Sequence, residues 1–121
     1  MATARMIVID VDAAVAFYRD ALGFTLQDQY GPAMAMMAHD DLTLWLAGPL
    51  ASASQPMPDG ACPVPGGWRR IVVTTADIAA NVARLTAAGH RFRNSIVNGP
   101  GGQQVLQEDP SGNPVELFQP A

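Results

Sequence analysis

The stretch "VDAAVAFYRDALGF", residues 11–24, decides the fold because its pattern recurs later in the chain. Its apolar residues have the spacing of one side of an α-helix. They are Val11, Val15, Tyr18 and Leu22. Asp10 is placed to cap the start of this helix, and Gly23 is placed to end it. The stretch therefore predicts one amphipathic helix with both ends marked.

A second stretch, "DIAANVARLTAAGH" at residues 77–90, repeats this design. Asp77 is its cap and Gly89 its stop, and the apolar side consists of Ile78, Val82 and Leu85. Each helix follows a short run rich in β-branched residues, "RMIVI" or "RRIVVTT", and precedes an extended segment with turn signals. The chain is therefore predicted to contain two copies of a strand, a helix and further strands.

The repeat continues to the end of each copy. "HDDLTLWLAGP", residues 39–49, aligns without a gap with "PSGNPVELFQP", residues 110–120, which places Trp45 on Glu116. The intervening segment is rich in Pro, Gly, Ser and Ala and has no periodicity, as expected of an exposed linker. We predict a single domain, 1–121, made of modules at about 1–50 and 67–121 that are joined by a linker at about 51–66.

Composition restricts the classes of protein to consider. With 121 residues, 49% of them hydrophobic, the chain is large enough for one buried core. A formal charge of -4 leaves no basic patch for nucleic acid. Cys62 has no partner for an internal disulfide, and the N-terminal apolar run is too short for a signal or a membrane span. These features predict a cytoplasmic protein without nucleic-acid or membrane partners.

Three segments carry a resemblance to a known family: "DVDAAVAFYRDALGF", "DIAANVARLTAAGHRF" and "GPGGQQVLQEDPSGNPVELFQP". Together they resemble the vicinal oxygen chelate superfamily, which includes glyoxalase I, extradiol dioxygenases and bleomycin-resistance proteins. The resemblance implies an α+β fold of two βαβββ modules that form a cupped, open mixed β-barrel, usually in a homodimer. It does not specify one activity, because the fold supports several functions.

In the metal-dependent members of this family, one side chain from the first and last strand of each module binds a divalent cation. The corresponding positions here are Glu116 and Trp45 on the last strands, Arg70 or Arg69 on the first strand of the second module, and Thr3 or Arg5 on the opening strand. Only Glu116 is a usual ligand, and arginine repels a cation. His39 and His90 are predicted to be exposed turn residues. We therefore expect no metal and no cofactor.

If the strands alternate faces, Trp68, Arg70, Val72 and Thr74 line the cup, while Ile71 and Val73 pack under the helices. The predicted ligand-binding residues are Trp45, Trp68, Arg70, Glu116, Phe118, Met34, Met36 and Arg5. Aromatic rings, thioethers and a few charges are typical of a pocket for organic ligands. Plain core packing and an ion pair in which Arg70 and Glu116 neutralise each other are the simpler alternative. The Gly-rich residues 98–104 predict a hairpin or lid-like turn.

The resulting prediction is a metal-independent protein that binds a hydrophobic or planar small molecule. It would act as a homodimer that sequesters an antibiotic or an aromatic metabolite, as in bleomycin resistance. One alternative is an enzyme of the superfamily, either a lyase, isomerase or dioxygenase with an unusual metal site or a metal-free catalyst with Glu116 as base. Another is a scaffold that fills the cup with its own side chains and acts through partners.

Overall fold

The computed structural model describes residues 2–121 and divides the chain into two compact units, Met1–Gly66 and Gly67–Ala121. The first unit contains β1 (Ala2–Ile7), α1 (Val11–Leu22), β2 (Thr25–Tyr30), β3 (Met34–His39) and β4 (Leu42–Ala47). The second contains β5 (Ile71–Thr74), α2 (Ile78–Ala87), β6 (Arg91–Phe92), β7 (Val97–Gly99), β8 (Gly102–Glu108) and β9 (Pro114–Pro120). The predicted α+β class, with two helices and two mixed sheets, is confirmed.

Both helices begin and end where the sequence predicts. The Asp10 carboxylate accepts a hydrogen bond from the Ala13 N–H at 3.1 Å, and the Asp77 carboxylate does the same for Ala80 at 3.1 Å. These bonds satisfy backbone donors that have no partner within the helix. Gly23 ends α1 with a left-handed φ of 76°. The helix boundaries are thus fixed by residues adjacent in sequence.

The first sheet has the strand order β1-β4-β3-β2, with β1 parallel to β4 and the other neighbours antiparallel. Helix α1 covers one face, where the Tyr18 hydroxyl donates to the Met6 sulfur at 3.0 Å. Leu44 and Leu46 are fully buried on that side. Side chains alternate along a strand, so the neighbours of Met6 and Leu46 in β1 and β4 lie on the opposite face. We call this the open face of the first sheet.

The second sheet has the order β5-β9-β8-β6, and β7 also pairs with β8. Helix α2 covers one face of this sheet. On that face the Gln119 side chain accepts a hydrogen bond from the Ile78 N–H at 2.8 Å. Val115 and Leu117 are buried on this same side of β9. The open face of the second sheet therefore carries Glu116 and Phe118, which alternate with them.

The two units have the same register around their parallel strands. The Val8 N–H donates to the Ala47 carbonyl at 2.9 Å, and the Thr75 N–H donates to the Phe118 carbonyl at 2.8 Å. Ala47 aligns with Phe118 in the internal repeat. The sequence repeat is therefore also a structural repeat, and positions two residues earlier on β4 and β9 are equivalent.

The turn "DPSGN" before β9 is built around a buried carboxylate. Asp109 is 1% exposed and accepts hydrogen bonds from the backbone N–H groups of Ser111 and Asn113 at 2.9 and 2.8 Å. The Asn113 amide adds a third at 3.0 Å, and Gly112 supplies a left-handed φ of 84°. Such local side-chain bonds stabilise a tight turn, which here leads directly into β9.

The segment predicted to be a linker, residues 51–66, falls in the first unit and contains a short 3₁₀ helix at Ser52–Ser54. Cys62 in this segment is exposed and unbridged. Neither helix within residues 2–121 has the length and apolar character needed to cross a membrane.

Candidate functional site

The open face of the first sheet brings three predicted ligand-binding residues into one row. Trp45 on β4 is the direct partner of Arg5 on β1 and of Met36 on β3. The Arg5 guanidinium carbon lies 5.1 Å from the centre of the Trp45 ring, a cation–π contact. Met34 lies farther along β3, opposite Ala47. Strand pairing alone therefore assembles an aromatic ring, a thioether and a positive charge.

The row continues onto β2 at Asp28, the partner of Met36. The Asp28 carboxylate accepts a hydrogen bond from the Tyr30 phenol, which raises the pKa of Tyr30 above its ordinary value, and the negative charge raises it further. Losing the phenolic proton would remove the hydrogen bond and bring two negative charges together. The contact with Asp28 therefore favours the neutral form of the Tyr30 phenol.

The open face of the second sheet is centred on Glu116, which is 8% exposed. Its direct neighbours are Val72 on β5 and Leu106 on β8. The Arg70 guanidinium approaches one carboxylate oxygen of Glu116 with two nitrogens, at 3.0 and 2.9 Å. The carboxylate is thus charge-compensated in an apolar setting, where an uncompensated charge would be costly.

The position of Arg70 differs from the sequence prediction. Strand β5 begins at Ile71, so Trp68 and Arg70 precede the strand and do not share its alternation with Val72. Ile71 pairs with Val115 of β9, and the residue before Val115 is Pro114, which has no N–H to continue the parallel ladder. The residue opposite Glu116 is therefore Val72, and Arg70 reaches the carboxylate through the length of its side chain.

Trp68 is 71% exposed, and its ring lies against Arg93, whose guanidinium carbon is 4.8 Å from the ring centre. Arg93 was not among the predicted site residues. Its guanidinium donates to the Glu108 carboxylate at 2.9 Å and to the carbonyls of Gly67 and Gly112, each at 2.8 Å. It connects the segment before β5 to the turn before β9. The alternation in "RFR" could have placed Arg93 outside the core, but no sequence signal identifies its two carbonyl partners.

Phe118 lies at the edge of a cavity of about 250 Å³ under the β7–β8 hairpin, which Val97 and Gln104 also line. The hairpin predicted at residues 98–104 is confirmed, with Gly99 paired to Gly102. The Gly101 carbonyl accepts a hydrogen bond from the Ala121 N–H at 3.0 Å. The hairpin is therefore attached to the end of β9 and bounds the cavity beside Phe118.

The residues at the predicted ligand positions do not form the metal site that the sequence resemblance implies for metal-dependent members. Within residues 2–121, no group of three or more His, Cys, Asp or Glu side chains could hold a metal ion. Glu116 contacts a guanidinium, and its equivalent in the repeat is Trp45. A divalent cation needs several nitrogen or oxygen donors, which an arginine and an indole cannot supply.

The prediction that His39 and His90 are exposed turn residues was wrong about the exposure of both, and His39 also lies in a strand. His39 is the last residue of β3, its side chain is only 28% exposed, and its ring stacks on Phe24 at 4.9 Å. Phe24 follows α1, so this contact depends on the packing of distant segments. His90 lies just after α2 and is half-buried.

Comparison with known proteins agrees with this fold. The family model of the glyoxalase/bleomycin resistance protein/dioxygenase superfamily matches residues 1–117. The chain therefore belongs to this superfamily. No significant match was found among curated protein sequences.

Solved structures of similar fold differ in their described functions. TnmS3, an antibiotic-binding protein from a Streptomyces species, is 30% identical, with 98% of this chain and 93% of that chain covered and a TM-score of 0.75. A superfamily member from Sphaerobacter thermophilus is 28% identical, with coverages of 97% and 94% and a TM-score of 0.74. The lactoylglutathione lyase of Agrobacterium tumefaciens is 23% identical, with coverages of 98% and 92% and a TM-score of 0.75, and shows the shared fold.

Proposed function

We propose that this protein is a metal-independent small-molecule binding protein that sequesters a hydrophobic or planar compound, such as an antibiotic or an aromatic metabolite. The observation that carries the proposal is the exposed ring of Trp68, held in place by Arg93. A large apolar ring held at the surface by a partly buried network is suited to stacking against a flat ligand. The similarity to the antibiotic-binding protein TnmS3, at 30% identity, supports the same class of ligand.

The contribution of Trp68 to the free energy of ligand binding can be derived from the exposed fraction of its ring. Trp68 is 71% exposed, so a ligand ring that covers it would remove on the order of 100 Å² of apolar surface from water. At about 25 cal/mol per Å², this burial contributes about 2.5 kcal/mol. Replacing Trp68 with alanine should therefore weaken binding by about 60-fold.

The remaining predicted ligand residues enter the proposal in two groups. Arg5, Trp45, Met36 and Met34 belong to the first open face, and Arg70, Glu116 and Phe118 belong to the second. In each group an arginine lies among aromatic or apolar side chains. The ion pair with Arg70 supports metal independence, because it occupies the one carboxylate that a metal would need.

We also infer how the protein assembles and where it is located. We infer a single domain of two modules, at about 1–50 and 67–121 with a linker at about 51–66, that functions as a cytoplasmic homodimer. Light scattering coupled to gel filtration measures the assembly directly, and a mass of 12.8 kDa in solution would contradict the dimer.

The binding test uses the two tryptophans as separate reporters. Trp45 and Trp68 are the only tryptophans in the sequence, so Trp45→Phe leaves the second unit to report and Trp68→Phe leaves the first. A panel of planar antibiotics should quench the emission of the native protein saturably, and Trp68→Ala should weaken the binding. If no compound alters the emission of either single-tryptophan variant, the binding function is refuted and the scaffold alternative is favoured.

A separate measurement tests the enzymatic alternatives. Metal analysis of the purified protein, with turnover of candidate substrates measured before and after chelation, should give no stoichiometric metal and no chelator-sensitive activity. Glu116→Ala should reduce ligand affinity only in part. A stoichiometric metal, or turnover that falls by orders of magnitude in Glu116→Ala, would replace the binding proposal with an enzymatic one.

A further inference from the structure

Arg5 on the open face of the first sheet is held in place without a negatively charged partner. It is the direct strand partner of Trp45, and its guanidinium carbon lies 5.1 Å from the indole centre. Met36 flanks the same indole from β3. Contact with the ring restricts the long side chain, so less conformational freedom remains to be lost when a ligand binds.

In the part of the chain that the structure describes, Arg5 has no acidic partner, whereas Arg70 and Arg93 each form an ion pair with a glutamate. Arg70 pairs with Glu116 at 2.9 Å, and Arg93 pairs with Glu108 at 2.9 Å. Within residues 2–121, no hydrogen bond or ion pair is found for the Arg5 guanidinium. Its donors are therefore available to a ligand, in a protein whose formal charge is -4.

A guanidinium presents a planar set of donors that matches the two oxygens of a carboxylate. The guanidinium repels a cation, and a neutral aromatic ligand would leave its N–H groups hydrogen-bonded only to water. Since the flat Trp45 ring lies directly under these donors, the ligand that contacts both is planar and carries an anionic group at its edge. The second open face lacks this feature, because Arg70 is already committed to Glu116.

We propose that the open face of the first sheet binds planar aromatic acids, with the ring on Trp45 and the carboxylate on Arg5. This inference rests on the proposed binding function and specifies its ligand class. It assigns Arg5 as the residue that selects an acid over the corresponding neutral compound.

The test compares naphthalene-2-carboxylate with naphthalene-2-carboxamide, which have the same rings and differ in charge. Binding is followed by the chemical shift of the Trp45 indole N–H in ¹H–¹⁵N NMR spectra. The sequence contains two tryptophans, and the signal that disappears in Trp45→Phe identifies the reporter. The carboxylate should bind about tenfold more tightly than the carboxamide, which corresponds to about 1.4 kcal/mol. Raising the ionic strength should reduce this preference.

Substitutions at Arg5 test whether this side chain causes the preference for the carboxylate over the carboxamide. Arg5→Gln should bind both compounds with equal affinity, and Arg5→Lys should keep part of the preference for the acid. Arg69→Gln is the matched control, because Arg69 is also exposed but lies outside the strands. It changes the net charge equally and should retain the full tenfold preference.

The outcomes separate this inference from the proposed function. Equal binding of both compounds by the native protein, or a preference for the acid that persists in Arg5→Gln, would overturn the role of Arg5 and leave aromatic binding intact. Loss of the preference in Arg69→Gln as well would show a general charge effect and would also overturn it. If neither compound shifts either indole signal, the inference fails together with ring binding at this face.

Discussion

Replacing Arg93 with methionine should destabilise the second unit strongly, although Arg93 lies outside the apolar core. The substitution removes hydrogen bonds to the Glu108 carboxylate and to the carbonyls of Gly67 and Gly112. Hydrogen bonds to charged groups contribute about 1.5–3 kcal/mol each. The side chains of Arg93 and Glu108 are 18% and 24% exposed, so solvent reduces the total. We expect a loss of about 3 kcal/mol in the free energy of unfolding.

The control variant for this prediction lies two residues away. Arg91 approaches the same carboxylate of Glu108 at 4.0 Å, but its side chain is 67% exposed. Arg91→Met removes the same charge and should cost less than about 0.5 kcal/mol. Arg93→Lys keeps the charge without the fork of donors and should lie between the two, at about 2 kcal/mol.

Urea unfolding measures these differences in a Trp45→Phe background, where Trp68 emission reports on the second unit. Arg93→Met should also weaken binding of planar ligands to Trp68, because the ring loses its support. Equal destabilisation by Arg91→Met and Arg93→Met would show that only the charge near Glu108 matters. That result would refute the role assigned to the two carbonyl contacts of Arg93.

Two other predictions follow from the second unit. A double-mutant cycle with Arg70→Met and Glu116→Gln should give a coupling free energy of about 1–2 kcal/mol in urea unfolding. The coupling is modest because the ion pair is only partly shielded from solvent. A coupling near zero would contradict a stabilising contact. Gly102→Ala should cost more than about 2 kcal/mol, since φ is +144° and a Cβ would lie 2.1 Å from the Gln119 carbonyl oxygen. Gly101→Ala meets nothing within 4 Å and is the control, expected to stay within about 0.5 kcal/mol; equal effects would contradict the steric explanation.

The features that the sequence predicted well depend on neighbouring residues. The caps at Asp10 and Asp77 bond to N–H groups three residues later, so the sequence contains both partners at fixed spacing. The alignment of Trp45 with Glu116 was also visible, because the duplicated modules preserve the register of β4 and β9. Local spacing and the repeat together were sufficient for the α+β architecture.

The features that the sequence did not predict depend on contacts between distant segments. Arg93 binds two backbone carbonyls, and a backbone carbonyl has no residue type by which a sequence could reveal it. The start of β5 at Ile71 depends on the pairing partner, where Pro114 ends the ladder. The side-chain pairing of Arg70 with Glu116 was within reach of the sequence, but the residue opposite Glu116 in the sheet was not.

The equivalence of Trp45 and Glu116 has an evolutionary consequence. After a duplication, each copy of the module can accumulate substitutions at the same point of its sheet without altering the other copy. Here one copy has an indole under an arginine, and the other has a carboxylate paired with an arginine. A lineage with this scaffold can therefore change the chemistry of one open face at a time, while the other open face stays as it was.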